Sequence, residues 1–284
     1  MKFRSVQNAT LVLCLQYFYN YTVKGGKMSH LVCPICGNHV ENFDEYDMTY
    51  TIANKVTRLQ YPDAICQVCK SDVRHRFALR FLQDKTHIFK KRLKVLHVAP
   101  EYWLANVFLN MDIEYHPVDI NCERFKHFEV AYADITGLSY PDNSFDAVIL
   151  IHVLEHIPED DKAIRELFRV LKPGGWMLLS VPTGEAPTQE GLHLSPAQRK
   201  NLFGIEDHYR LYGLDLKDKI EEKGFVTQVF TPEDISGNWY NRNHPKGYRP
   251  SDKYLFFSVK PEIKETDSWF SRLKRSLIPA VHTS

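Results

Sequence analysis

The stretch FDAVILIHVLEHIPEDDKAIRELFRVLKPGGWMLLSVP, from Phe145 to Pro182, decides the fold of this chain. It opens on a nearly unbroken apolar run, as expected of a strand buried on both faces. An amphipathic helix follows, expected to end in Leu171-Lys172-Pro173-Gly174-Gly175 and to pass straight into a second apolar strand, WMLLSVP. Upstream lie two further strand-like runs, KVLHVA (94–99) and IEYHPVD (113–119), and an acidic turn at Ala133-Asp134-Ile135. Downstream, a helix (DLKDKIEEKGF), a strand (VTQVF) and a closing strand (KYLFFSVK) complete the series. Strands alternating with helices at this pitch imply an α/β fold with a mostly parallel sheet covered on both faces. Ligands of such sheets sit in the loops at the carboxyl edge of the strands.

At 284 residues the chain accommodates one large domain with a small appendage. Acidic and basic residues nearly cancel, at a net charge of +1, which argues against a protein held on nucleic acid or anionic membrane by bulk charge. No apolar run approaches the length of a membrane helix. The run Ala9 to Tyr21 follows Lys2 and Arg4 and faintly imitates a signal peptide, but Gln16 and Asn20 interrupt it and no small-residue cleavage site follows. A cytoplasmic protein is therefore expected. Met28 directly precedes the first cysteine motif, so residues 1–27 read as an extension and Met28 as an alternative start.

Four of the six cysteines form two Cys-x-x-Cys pairs, Cys33 with Cys36 and Cys66 with Cys69. Four thiolates enclose one Zn2+ tetrahedrally and leave no open position, so the pattern predicts a structural zinc ribbon over 28–76. The 29 residues between the knuckles exceed the usual spacing, and the alternation of Met48, Tyr50 and Ile52 places a hairpin there. Arg74-His75-Arg76 opens an amphipathic helix, and 77–92 reads as a linker between ribbon and sheet. The cluster is either an anion-binding group or the solvated start of that helix, and the structural reading is favoured. Cys14 and Cys122 read as ordinary apolar thiols.

The order of elements from Val95 to Pro182 resembles the class I methyltransferases that use S-adenosylmethionine. That resemblance implies a Rossmann-like methyltransferase domain over 93–261, mostly parallel with the last strand antiparallel. The first loop departs from the broad family: His97 stands where an acid is usual, and Ala99-Pro100-Glu101 replaces a glycine-rich turn. Together with the paired cysteines, Arg-His-Arg and Asp207-His208-Tyr209-Arg210, this loop is similar to a bacterial subgroup of these enzymes. By resemblance, His97, Ala99 and Glu101 line the cofactor, with Glu101 accepting from its ammonium. Asp119, beside Ile120, accepts the ribose hydroxyls, and Asp134 and Ile135 meet the adenine. Asp146 is expected to be structural.

His152, Glu155 and His156 fall at i, i+3 and i+4 and would share a face of a helical turn. They read either as a divalent metal site completed by His208 or, as the favoured reading, as His152 lining the cofactor pocket with Glu155 and His156 buttressing the loop. The segment 183–213 reads as a lid over the acceptor, with His208, Tyr209 and Arg210 as acceptor contacts and His208 or His152 as general base. Asn238 to Ser251 forms a polar, aromatic loop near the same edge, and 262–284 a basic amphipathic tail. The function expected is methyl transfer to a small-molecule or sugar-bearing acceptor. The alternatives are an RNA methyltransferase using the ribbon for recognition, and a non-catalytic scaffold on the same fold. The oligomeric state is left open by the sequence.

Overall fold

The structure, a computed structural model, describes residues 31–52, 55–240 and 252–262. The expectations for residues 1–27, for 241–251 of the polar loop and for the tail from 263 lie outside the described residues.

Short strands β1 (Leu31–Val32) and β2 (His39–Val40) pair around the first knuckle, and the long strands β3 (Asp44–Ile52) and β4 (Lys55–Ile65) form the hairpin expected between the knuckles. Helix α1 (Val73–Lys85) follows. It starts where Asp72 and His75 satisfy each other's backbone amides, Asp72 Oδ1 accepting from Arg74 N at 3.1 Å and His75 Nδ1 accepting from Asp72 N at 3.1 Å.

The main sheet contains β5 (Lys94–Val98), β6 (Glu114–Asp119), β7 (Ala131–Tyr132), β8 (Phe145–Ile151), β9 (Leu171–Ser180), β12 (Val226–Phe230) and β13 (Leu255–Val259). Its order is β12-β13-β9-β8-β5-β6-β7, with β13 antiparallel to both neighbours and the remaining pairs parallel. Helices α2 (Tyr102–Phe108), α3 (Asp160–Val170) and α5 (Leu216–Glu221) connect these strands. Residues 183–213 make an excursion in which β10 (Gln189–Glu190) pairs with β11 (Arg210–Leu211) around helix α4 (Pro196–Phe203).

The period-2 alternation of strand side chains divides the core into two layers. Leu96, Val98, Val148, Leu150, Met177 and Leu179 pack beneath α3 and α5. Val95, Ala147, Ile149 and Leu178 face Val73, Phe77, Phe81 and Leu82 of α1. Helix α1 is thus one of the layers covering the sheet rather than a linker, because Val73, Phe77, Phe81 and Leu82 bury one of its faces against the strands. Two details near β9 also differ from the sequence expectation. Helix α3 ends at Val170, and the strand already begins at Leu171. Asp146 is structural, as expected: its carboxylate accepts from Lys94 N and Lys172 Nζ, both at 2.8 Å.

Candidate functional site

Register places the carboxyl ends of the central strands side by side, with Val98 opposite both Val118 and Leu150, and Asp119 opposite Tyr132. The residues that follow each strand therefore share one edge. Two of them turn through left-handed backbone, Ala99 (φ 49) and His152 (φ 55). This is a conformation that glycine adopts freely and other residues pay about 1–2 kcal/mol for. Ala99 thus makes a tight turn that glycine would make without strain.

His97 does not reach the edge itself. It is buried under the loop, with Nδ1 at 2.8 Å from the Tyr115 hydroxyl and Nε2 at 3.2 Å from Glu101 Oε2. Its role in the fold is to hold Glu101. Burial pushes the Glu101 carboxyl up, but the bond from His97 and the charges of His97 and Arg74 outweigh it and hold the group below its ordinary range. The second oxygen, Oε1, is buried with no hydrogen-bond partner among the described residues.

The Arg-His-Arg cluster divides between two tasks. Arg76 is fully buried, donates to the carbonyls of Ala64 (3.2 Å) and Ser71 (2.9 Å), and lies 3.7 Å over the Phe43 ring, so it ties the cysteine module to α1. It is not the solvated helix start expected from sequence. His75 is buried and stacks on Trp103, with ring centroids 4.8 Å apart. Because Nδ1 accepts from Asp72, the proton of the neutral ring sits on Nε2, which has no partner among the described residues. Burial lowers the His75 pKa to about 4, so the ring is neutral at physiological pH. Arg74 Nε is likewise buried without a partner. Both residues lie within electrostatic reach of Glu101.

Asp119 is 5% exposed and Ile120 63% exposed, an acid set beneath an uncovered apolar side chain. Asp119 Oδ1 accepts from Asn121 N and Oδ2 from Arg124 Nη2, both at 2.6 Å. The carboxylate therefore also orders the short turn Cys122–Arg124. Asp134 Oδ1 accepts from the amide and hydroxyl of Thr136, both at 2.8 Å, while the Ile135 side chain enters the core. This leaves the Ile135 backbone, not its side chain, at the edge.

His152 and Glu155 do not share a helical face. The turn is the single 3-10 turn Leu154–His156, and His152 precedes it with Nε2 2.9 Å from Asp252 Oδ1. Sequence reasoning missed Asp252 as a member of this edge, and it ranked the anion-binding reading of Arg74 and His75 second. No local pattern announces Asp252, which lies beyond the polar loop. Arg210 is a correction to the acceptor role: its Nη1 and Nη2 donate to the carbonyls of Ile157 (2.6 Å) and Pro158 (3.0 Å), and Nε to Glu190 (3.0 Å). A fully buried guanidinium with its donors consumed in this way is a clamp. Tyr209 packs under Arg199, whose guanidinium lies 4.5 Å from the ring centroid. His208 is buried against His156, and burial together with the His156 charge lowers its pKa to about 4, which makes it a weak base at neutral pH.

In the cysteine module, Cys33 Sγ lies 3.7 Å from Cys69 Sγ and Cys36 Sγ 3.9 Å from Cys66 Sγ. All four sulfurs fall within 4.8 Å of one another. A tetrahedral zinc at about 2.3 Å from each thiolate sets its sulfurs about 3.8 Å apart. The four residues fit that ion. The module meets the edge through Trp103, whose Nε1 donates to the Cys69 carbonyl at 2.8 Å. A cleft of about 850 Å3 lined by Tyr115, His116, Cys122, Phe125 and Tyr140 opens beside β6.

Residues 95–179 match the family model described as a methyltransferase domain. The seven-stranded sheet, with β13 reversed, has the Rossmann-like arrangement of that fold. The chain is 33% identical over 89 residues to the ubiquinone/menaquinone biosynthesis C-methyltransferase UbiE of Salmonella paratyphi B, covering 29% of this chain and 36% of the relative. The same values hold for the Salmonella newport protein. The chain thus spans about a third of the length of these curated relatives. Among solved structures, a SAM dependent methyltransferase from Archaeoglobus fulgidus superposes with a TM-score of 0.47 at 17% identity, over 66% of this chain and 95% of the other. Among the described residues, no helix is long and apolar enough to cross a membrane.

Proposed function

We propose that the chain is an S-adenosylmethionine-dependent methyltransferase acting on a small-molecule or sugar-bearing acceptor, with a structural zinc ion held by Cys33, Cys36, Cys66 and Cys69. The observation that carries the cofactor reading is the set of unmatched polar atoms at the carboxyl edge. Glu101 Oε1, an acceptor, and His75 Nε2 and Arg74 Nε, both donors, are buried in one neighbourhood without partners among the described residues. An amino-acid zwitterion matches this set: its ammonium donates to Glu101 and its carboxylate accepts from His75 and Arg74. At the neighbouring strand end, Asp119 suits a ribose diol and exposed Ile120 an adenine face.

When bound, the cofactor supplies an electrophilic methyl group on a sulfonium. The chain's part is to align the acceptor and exclude water. Where the acceptor carries a proton, His152 is the base favoured over His208, because the Asp252 carboxylate at 2.9 Å supports a positive charge on its ring. The near-zero net charge favours a small acceptor over RNA.

Isothermal titration of the zinc-loaded chain with S-adenosylmethionine and S-adenosylhomocysteine tests the reading. Binding of both is expected. Binding of neither would return the chain to the scaffold alternative.

A further inference from the structure

The turn Leu154–His156 and the segment His208–Tyr212 are sewn together side by side. Tyr209 N donates to the Glu155 carbonyl at 2.8 Å, Arg210 reaches the carbonyls of Ile157 and Pro158, and the Tyr212 hydroxyl donates to Asp160 Oδ2 at 2.7 Å. This seam presses His208 against residues far from it in sequence. Glu155, His156 and His208 each bring one ligand atom within 4.8 Å of the other two. The two imidazoles meet edge to face with centroids 4.7 Å apart.

Glu155 is fully buried, and neither carboxylate oxygen has a hydrogen-bond partner among the described residues. Its nearest ion-pair neighbour is His152 Nδ1, at 3.9 Å. A buried carboxylate without donors is costly, and a cation among these three side chains would remove the cost. Asp207 Oδ2 lies 3.3 Å from His156 Nδ1, the outer partner that orients a metal-binding imidazole through its other nitrogen.

We propose that Glu155, His156 and His208 bind a divalent first-row transition cation, separate from the four-cysteine site. Two imidazoles and one carboxylate suit zinc, manganese, iron or cobalt better than the all-oxygen shells of calcium and magnesium. Ligands at about 2.0–2.2 Å from such an ion lie roughly 3–3.5 Å apart, so the cluster closes by about 1–2 Å through side-chain torsions. Three protein ligands leave coordination positions open. Use of one by an acceptor oxygen rests on the methyl-transfer reading; the binding of metal does not.

The test is titration of the zinc-loaded full chain with Mn2+, free ion being counted by electron paramagnetic resonance. Four thiolates favour zinc over the harder manganese ion, so Mn2+ reports on the second site. One Mn2+ per chain is expected. Asp207→Asn should weaken binding about tenfold, while His208→Ala and Glu155→Gln should exceed the roughly 10–100-fold typical of losing an outer partner. Glu155→Gln keeps the side-chain volume and removes the buried charge, so the variant should fold at least as well as the parent, yet lose the rise in Tm that Mn2+ gives the parent. Absence of Mn2+ binding, or parental affinity in folded Glu155→Gln and His208→Ala, overturns the site.

Discussion

Replacing Glu101 by Gln removes one negative charge from a buried position while keeping its shape. Oε2 is held by His97 at 3.2 Å, and Oε1 is buried without a partner among the described residues. If that oxygen receives the ammonium of S-adenosylmethionine, the substitution changes a charge-assisted bond into a neutral amide contact. Hydrogen bonds to charged groups contribute about 1.5–3 kcal/mol, so the dissociation constant should rise roughly 10- to 150-fold. The control is 5′-methylthioadenosine, which shares the nucleoside and lacks the amino-acid end; its affinity should stay within about twofold of the parent. Both affinities come from isothermal titration. The fold should survive, since Gln keeps the side-chain shape and an oxygen that can still accept from His97. Unchanged S-adenosylmethionine affinity, or an equal loss for both ligands, would refute the assignment of Glu101 to the ammonium.

Asp119→Ala should show the opposite selectivity, weakening both ligands together, because the ribose is common to them; retention of methylthioadenosine binding in that variant would remove Asp119 from the ribose site. Stripping zinc with a chelator, or replacing Cys66 by Ser, should lower S-adenosylmethionine affinity. The Trp103 bond to the Cys69 carbonyl and the seat of His75 at the start of α1 both depend on the cysteine module. Equal affinity with and without zinc, measured by the same titration, would uncouple them. His75 is held well below its ordinary pKa, at about 4 against 6.5, by burial. The unfolded chain therefore binds this proton more tightly, and the contribution is fully present above about pH 6.5 and lost as pH falls towards 4, with a magnitude on the order of 3 kcal/mol. Urea unfolding of His75→Gln, which retains a side chain able to complete the helix cap, should show a flatter stability profile over that window. Arg210→Ala should destabilise the chain by about 3 kcal/mol or more in urea, since it strips donors from three partners and leaves the buried Asp160 with less compensation. A loss of activity without any loss of stability would instead restore Arg210 as an acceptor contact.

The sheet was legible in the sequence because burial on both faces and burial on one stripe leave different local periods. FDAVILI, KVLHV and WMLLS read as continuous apolar runs, and Ala163, Ile164 and Leu167 recur at helical spacing. The two Cys-x-x-Cys pairs and the hairpin between them were legible for the same reason: their spacing is local. Asp119 with its exposed neighbour Ile120 also fell at the edge where a strand-terminal acid was expected.

What the sequence left undecided was which polar groups meet. Arg-His-Arg reads as the solvated start of a linker. Only tertiary packing buries His75 against Trp103 and brings it within electrostatic reach of Glu101. The excursion over 183–213 reads as a loop of acceptor contacts, yet the seam between Glu155 and Tyr209 sends Arg210 inward as a clamp and His208 onto Glu155 and His156. Asp252 joins His152 across the whole length of the sheet domain. Local pattern by itself determined the central strands, the helix between β8 and β9 and the spacing of the cysteines, because each depends on neighbours within a few residues. The partners of the buried charges were decided by tertiary structure alone, because their energies depend on distance and on the removal of water, and neither is a local property of the chain.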